Sequence, residues 1–123
     1  MAGKLVHFEL PVQDVDRAKR FWSGVCGWEF GDSAMPGFEY YMVRTSEDQG
    51  GAIMPAETPA TSPIVYFDTD DIDASIAKVR ELGGQADDKM PIPEIGWFTH
   101  CTDTEGIAFS LFQSDESVSP PEG

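Results

Sequence analysis

The chain has 123 residues and a formal net charge of −14, from 22 acidic and 8 basic residues. This charge repels phosphate backbones and anionic membrane surfaces, so we expect no nucleic-acid and no membrane partner, whereas a cationic ligand would be attracted. Because no apolar run approaches the ~20 residues that span a bilayer, and no secretory signal layout opens the chain, we expect a cytoplasmic protein.

The first half of the chain predicts a βαβββ module over residues 5–56. Residues 5–11 alternate apolar and polar side chains with the two-residue period of a strand. Asp14 or Asp16 can cap the helix that follows, whose apolar residues recur at helical spacing until Gly27. Three further short strands are expected at residues 28–30, 38–44 and 51–54, with turns at 35–37 and 47–51.

The second half repeats this pattern with an offset of 57 positions, so that His7 of the first copy corresponds to Ile64 of the second. The expected elements are a linker at 57–63, a strand at 63–68, a helix at 72–82 and strands near 85–90, 96–102 and 107–112. A hairpin turn is expected at 103–106, where Gly106 accepts a positive φ.

The length of the chain allows one hydrophobic core, so the two modules are expected to share it. We therefore predict a single α+β domain over residues 1–113, built of modules 5–56 and 63–113. A polar, proline-containing tail at 114–123 is predicted to be disordered. Cys26 and Cys101 are too few for a disulfide framework or a zinc site and are expected to be ordinary thiols.

Strand alternation assigns each predicted strand residue to one of two sheet faces. The face away from the helices is expected to carry His7, Glu9, Tyr66, Asp68, Ser110 and Phe112. If the hairpin turn sets Thr102 opposite Ile107, His100 turns toward the helices. In that register the pocket face also receives Trp97, Thr99 and Cys101.

Four segments carry a resemblance to a known family: HFELPVQDVDRAKRFWSGVCGWEF at 7–30, GGAIMPA at 50–56, VYFDTDDIDASIAKVRELGG at 65–84 and DTEGIAFSLFQ at 103–113. In this order and spacing they resemble the vicinal oxygen chelate superfamily, which includes glyoxalase I, bleomycin-resistance proteins, methylmalonyl-CoA epimerase and extradiol dioxygenases. The resemblance implies two tandem βαβββ modules that form a curled mixed sheet around a concave pocket, with the helices on the outer face. It also implies a homodimer.

Metal-using members of this family place a histidine on the first strand and a carboxylate on the last strand of each module. Carried over to this chain, the ligand positions are His7, Ile53, Ile64 and Ser110, and only His7 matches. A metal that is held and used needs about three protein ligands, so we expect no metal cofactor. A weak two-ligand site at His7 and Glu9 remains an alternative.

The expected pocket combines apolar and aromatic walls with a few polar groups, which is typical of a small-molecule site. Its predicted lining residues are His7, Glu9, Ile53, Ile64, Tyr66, Trp97, Ser110 and Phe112. Aromatic walls beside a carboxylate favour a flat or cationic ligand. The first hypothesis is therefore a metal-independent binding protein similar to the bleomycin-resistance branch.

Two other interpretations stay open. The chain is alternatively a lyase or isomerase in which Glu9 or His7 acts as a general base without a metal. It is otherwise a module without chemistry, whose pocket is filled by Trp97 and Phe112. Serine or cysteine nucleophile chemistry is not supported, because the sequence shows no base beside Ser110 or Cys101.

Overall fold

A computed structural model describes residues 3–33, 39–58 and 62–119. Within these ranges the chain is an α+β protein with two helices and eight strands, which confirms the predicted fold class. The chain divides into two compact units. The N-terminal unit spans Val6–Ile64, and the C-terminal unit combines residues 1–5 with Val65–Gly123.

The N-terminal unit contains strand β1 (Leu5–Val12) apart from its first residue, helix α1 (Val15–Cys26) and strands β2 (Tyr41–Arg44) and β3 (Gly50–Pro55). Strand β3 lies at the centre, parallel to β1 and antiparallel to β2. Helix α1 begins where the Asp14 carboxylate accepts a hydrogen bond of 3.0 Å from the Arg17 N–H. It ends at Gly27, whose φ of 71° is left-handed.

The predicted strand at residues 28–30 is wrong, because this segment forms no strand. Its aromatic rings pack on the helix side instead. Trp28 stacks on Trp22 with ring centroids 5.0 Å apart and contacts Phe8 at 5.7 Å. The aromatic composition that indicated a strand therefore reflects ring packing. The predicted turn at 35–37 lies outside the described residues.

Helix α1 buries less of its apolar face than its periodicity predicts. Val15 is buried, but Phe21 is 58% exposed and Val25 is 66% exposed. Phe21 contacts Trp22 edge to face with ring centroids 5.4 Å apart. The helical spacing thus predicted which residues form the apolar face of the helix. Of that face, only the residues of the first turn and Trp22 are packed.

The C-terminal unit contains strand β4 (Ile64–Asp68) apart from its first residue, helix α2 (Ile72–Glu81) and strands β5 (Gln85–Ala86), β6 (Met90–Ile92), β7 (Gly96–Thr102) and β8 (Ala108–Ser114). Strand β8 lies between β4, to which it is parallel, and β7, to which it is antiparallel. Both β5 and β6 pair with β7. The single strand predicted near 85–90 is therefore two short strands.

The core of the C-terminal unit packs helix α2 on one face of this sheet. Ile72 and Ile76 from the helix meet Cys101 and Leu111 from the sheet, with Phe67 beside them. Burying each isoleucine side chain contributes about 1.5–3 kcal/mol. Leu82, the last residue of the predicted helix, is the C-cap and is 66% exposed.

Ser114, the first residue of the predicted disordered tail, ends β8, and residues 115–119 lie against the β6–β7 hairpin. Val118 is buried, and its carbonyl accepts a hydrogen bond of 2.9 Å from the Glu94 N–H. The Asp115 N–H donates to the Ile95 carbonyl at 2.8 Å. One apolar side chain and two backbone hydrogen bonds thus hold a segment whose composition is polar. Residues 120–123 of the predicted tail lie outside the described ranges.

Candidate functional site

A hydrogen-bonded chain of three side chains lies on the face of the N-terminal sheet opposite its helix, here called the open face. The Tyr40 hydroxyl donates to Glu9 Oε2 at 2.7 Å, and His7 Nε2 lies 2.8 Å from the same hydroxyl. The His7 and Tyr40 rings are stacked, with centroids 6.3 Å apart and planes 23° from parallel. Glu9 and Tyr40 are each 8% exposed. The three residues are called the Glu9 site below.

The hydrogen bonds of Tyr40 determine which nitrogen of His7 carries the proton. Because the hydroxyl hydrogen is donated to Glu9, the hydroxyl oxygen must accept from His7. His7 Nε2 therefore bears a hydrogen, and in the neutral ring Nδ1 carries the lone pair. Burial lowers the pKa of His7 below its ordinary value of 6.5, and the attraction of Glu9 offsets part of that shift. His7 is accordingly neutral at pH 7.

This lowered pKa predicts a pH dependence of stability. Below pH 6.5 the unfolded chain protonates its His7 before the folded chain does, so protons favour unfolding. The free energy of unfolding should fall as the pH decreases from 6.5 toward the pKa of folded His7. Urea unfolding of the wild type and His7→Gln at pH 8, 6.5 and 5 measures this contribution as the difference between their pH profiles. Parallel profiles would contradict it.

Tyr40 is the functional residue that the sequence analysis missed. It immediately precedes β2, and alternation along 40–42 places Tyr40 and Met42 on the open face with Tyr41 between them on the helix face. The Lys19 ammonium of α1 lies 3.2 Å from the Tyr41 ring centroid, which confirms that orientation. The sequence signal for Tyr40 was the adjacent pair Tyr40 and Tyr41. Because side chains alternate along a strand, one of the two faces away from the helix.

The structure corrects the predicted position of Ile53. In the β1–β3 ladder Glu9 lies beside Ala52, whereas Ile53 pairs with Leu10 on the helix face. Gly51 pairs with Phe8, whose ring would lie 2.5 Å from a Cβ at Gly51, so both occupy the helix face. The offset of 57 fails here by one residue, and a slip of one residue exchanges the two faces of a strand.

A second polar cluster lies on the face of the C-terminal sheet opposite α2, here called the His100 cluster. It comprises Tyr66, Phe98, His100 and Ser110. Tyr66 pairs with Ser110 in the β4–β8 ladder, and His100 pairs with Ser110 in the β7–β8 ladder. His100 Nδ1 is 2.7 Å from Ser110 Oγ. The prediction that Tyr66 and Ser110 share a face agrees with this geometry.

The predicted register of the β7–β8 hairpin is wrong by one residue. Thr102 pairs with Ala108 instead of Ile107, because the Asp103 carboxylate accepts from the N–H groups of Glu105 and Ile107 and lengthens the loop. This slip brings His100 to the face of Ser110, where the sequence analysis had not placed it.

The same slip places Trp97 and Cys101 on the helix face. Trp97 packs against the α2 core, donates from Nε1 to Asp115 at 3.3 Å and has the Lys89 ammonium 4.4 Å from its ring centroid. It is therefore a core residue and forms no wall beside Ser110. Burial raises the pKa of the Cys101 thiol, which stays protonated at neutral pH.

The remaining predicted residues have simple placements. Phe112 pairs with Phe98 on the face of the His100 cluster, and Ile64 begins β4 and is partly buried. Asp68 ends β4 and accepts a hydrogen bond of 2.7 Å from the Lys4 N–H. Of the eight residues predicted to line one ligand pocket, His7 and Glu9 belong to the Glu9 site, and Tyr66 and Ser110 belong to the His100 cluster, with Phe112 on the face of that cluster. Ile53 and Trp97 lie on the helix faces of their sheets instead.

The donor atoms do not fit the metal site that the resemblance implies. Isoleucine side chains at 53 and 64 offer no lone pair, and Ala52, which replaces Ile53 beside Glu9, offers none either. Within ranges 3–33, 39–58 and 62–119, no group of three histidine, cysteine or acidic side chains is arranged to hold a metal ion. His7 Nε2 already donates to Tyr40, so a metal at that nitrogen would have to displace this hydrogen bond.

Two surface grooves border the helices. One of about 300 Å³ borders α1 at Arg17, Phe21 and Trp22, and one of about 600 Å³ borders the start of α2 at Asp70 and Lys78. Neither contains a predicted site residue. Among the described residues no helix is long and apolar enough to cross a membrane.

Comparisons with known proteins agree on one family. A family profile described as Glyoxalase/Bleomycin resistance protein/Dioxygenase superfamily matches residues 4–111. The "Glyoxylase-like domain-containing protein" of Didymella fabae is 30% identical over 118 residues, covering 89% of this chain and 92% of that protein. The "Putative glyoxylase CFP32" of Mycobacterium bovis is 32% identical over 120 residues, and the match spans 89% of this chain but only 45% of CFP32.

A solved structure shows the same fold at low sequence identity. The methylmalonyl-CoA epimerase of Mycobacterium tuberculosis superposes with a TM-score of 0.69 and 14% identity, covering 91% of this chain and 88% of that chain. At this identity the likeness concerns the fold alone. It does not bear on the ligand, since one fold hosts many chemistries.

Proposed function

Because the chain belongs to the Glyoxalase/Bleomycin resistance protein/Dioxygenase superfamily, we propose that it binds a small, flat, cationic molecule at the Glu9 site without a metal ion. The observation that carries this proposal is the 8% exposed carboxylate of Glu9, held by Tyr40 at 2.7 Å. A desolvated carboxylate is costly, and an organic cation beside it would recover electrostatic free energy.

The surroundings of Glu9 favour a flat molecule. The stacked His7 and Tyr40 rings offer an aromatic wall, and such walls attract cations as well as planar apolar groups. Ala52, which is fully buried, pairs with Glu9 and with Met42, and Met42 is exposed on the same face. Methionine adapts its shape to irregular ligands. Because His7 is neutral, it does not repel the cation.

A thermal-shift titration with N-methylquinolinium tests this proposal, with the neutral isostere 2-methylnaphthalene as its partner compound. A cation at 100 times its dissociation constant should stabilise the protein by about 2.7 kcal/mol. Glu9→Gln should weaken this binding about tenfold or more, because it removes the charge and keeps the shape. Glu29→Gln, an exposed glutamate, is the matched control and should bind as the wild type does.

Two outcomes would refute the cationic ligand. The first is equal stabilisation by the neutral isostere. The second is unchanged affinity in Glu9→Gln, since the buried carboxylate would then take no part in binding. A panel of flat cations without a single stabilising compound would also count against the proposal.

A second candidate is metal-independent acid–base catalysis of the lyase or isomerase type. The chain of hydrogen bonds favours it, because Glu9, Tyr40 and neutral His7 together can accept and pass a proton. A base must lie within about 3 Å of the proton that it removes. The Glu9→Gln variant separates the candidates: an enzyme would lose turnover and keep substrate affinity, whereas a binding protein would lose affinity.

A homodimer, which the resemblance implies, stays a prediction.

A further inference from the structure

The His100 cluster holds an imidazole in one fixed orientation. His100 Nδ1 lies 2.7 Å from the Ser110 hydroxyl, which is fully buried. Two aromatic rings meet the imidazole edge to face: Phe98 with centroids 5.5 Å apart at 71°, and Tyr66 with centroids 6.3 Å apart at 65°. A ring held by one hydrogen bond and two aromatic contacts keeps its orientation, so Nε2 has a defined position.

The buried serine determines which nitrogen of His100 carries the hydrogen. A buried hydroxyl hydrogen needs an acceptor, and within the described ranges the hydrogen bond of Ser110 Oγ is the one to His100 Nδ1. Ser110 therefore donates to Nδ1, and Nε2 carries the hydrogen. No residue in the described part of the chain accepts a hydrogen bond from Nε2. The partly buried ring thus offers one donor for an external acceptor.

Ser110 is no nucleophile in this arrangement. Its side chain is fully buried, so its oxygen cannot reach an external carbonyl carbon, although a base now lies beside it. The serine instead positions His100 by selecting its tautomer. This assigns the cluster to binding rather than to acyl transfer.

We propose that His100 Nε2–H is the hydrogen-bond donor of a binding site for a neutral, planar carbonyl compound in the C-terminal unit. The rings of Phe98 and Tyr66 favour a planar ligand. A carbonyl oxygen matches the N–H donor, and the net charge of −14 disfavours a carboxylate. The inference goes beyond the proposed cation binding, since it uses none of the residues of the Glu9 site.

Nitrogen-15 NMR of the imidazole rings tests the tautomer first. The chain has two histidines, so His100 is assigned by comparison with His100→Phe. In the spectrum of the neutral imidazole form, we expect a protonated Nε2 and a lone-pair Nδ1 for His100. A protonated Nδ1 would overturn the proposal, because Nε2 would then be an acceptor.

Binding is tested with 1-indanone, using indane as the probe of equal shape without the carbonyl. Addition of 1-indanone should shift the His100 Nε2 resonance. Indane should bind about fivefold more weakly, which is the loss of one neutral hydrogen bond. Absence of a shift at millimolar 1-indanone, or equal binding of indane, would overturn the proposal.

Two variants distinguish a positioning role of Ser110 from a purely structural role. Ser110→Ala should weaken 1-indanone about fivefold and produce a mixture of His100 tautomers, a signature that loss of packing alone would not give. Ser114→Ala on the same strand is the matched control and should change neither. If Ser110→Ala does not fold, His100→Phe, which keeps an aromatic ring and removes the donor, decides: retained affinity for 1-indanone would refute the site.

Discussion

Gly96→Ala is expected to lower the free energy of unfolding by about 3 kcal/mol. A Cβ at this position would overlap the carbonyl oxygen of Gln113 and would lie 3.1 Å from Cε1 of Phe112. The oxygen belongs to the backbone of β8, so the β7–β8 ladder itself must shift. Urea unfolding followed by tryptophan fluorescence measures the change.

The matched control for this substitution is Gly24→Ala in helix α1. A Cβ at Gly24 meets no atom within 4 Å, and alanine favours a helix over glycine. We expect Gly24→Ala to stabilise the protein by up to about 1 kcal/mol. If Gly96→Ala unfolds at the urea concentration of the wild type, the β7–β8 register is wrong, and with it the pairing of His100 with Ser110.

Tyr40→Phe is expected to lower the free energy of unfolding by about 2 kcal/mol. The change removes the hydroxyl that donates to the buried Glu9 carboxylate and accepts from His7, and hydrogen bonds to charged groups contribute about 1.5–3 kcal/mol. The phenyl ring keeps the stacking with His7. The loss should therefore report the hydroxyl and not the volume of the side chain.

A double-mutant cycle with Glu9→Gln identifies the partner of the hydroxyl. The coupling free energy between positions 9 and 40 should be a large share of the single-variant loss, because the two side chains are in contact. Tyr41→Phe is the control: its hydroxyl lies 3.4 Å from exposed Glu39, and little change is expected. Additive losses at positions 9 and 40 would contradict the hydrogen-bonded chain and weaken the case for the Glu9 site.

The elements that local sequence could define were predicted well. Helices α1 and α2 begin after Asp14 and Asp71, whose carboxylates accept from backbone N–H groups three residues later, and such caps are encoded within a few residues. Gly27 likewise ends α1 with a left-handed φ. The duplicated pattern also predicted the α+β class, because the class depends on the order of elements and not on their contacts. The resemblance of four segments to a known family indicated the superfamily.

Strand register decided the candidate sites, and only the tertiary structure determined it. The hydrogen bonds to the Asp103 carboxylate lengthened the β7–β8 loop by one residue, so that His100 pairs with Ser110. In the β1–β3 ladder, Ala52 lies beside Glu9 in place of Ile53. Alternation along a strand is visible in the sequence, but the pairing of two strands depends on loop geometry and packing.

The contacts of Tyr40 also could not be predicted from local sequence. Its hydroxyl joins Glu9 and His7 from 31 and 33 residues away along the chain. No local pattern predicts a contact between residues so far apart in the sequence, because the contact forms only when β2 and β1 are brought together through β3. The sequence by itself determined the elements, the charge and the family, whereas long-range pairing decided which side chains form a site.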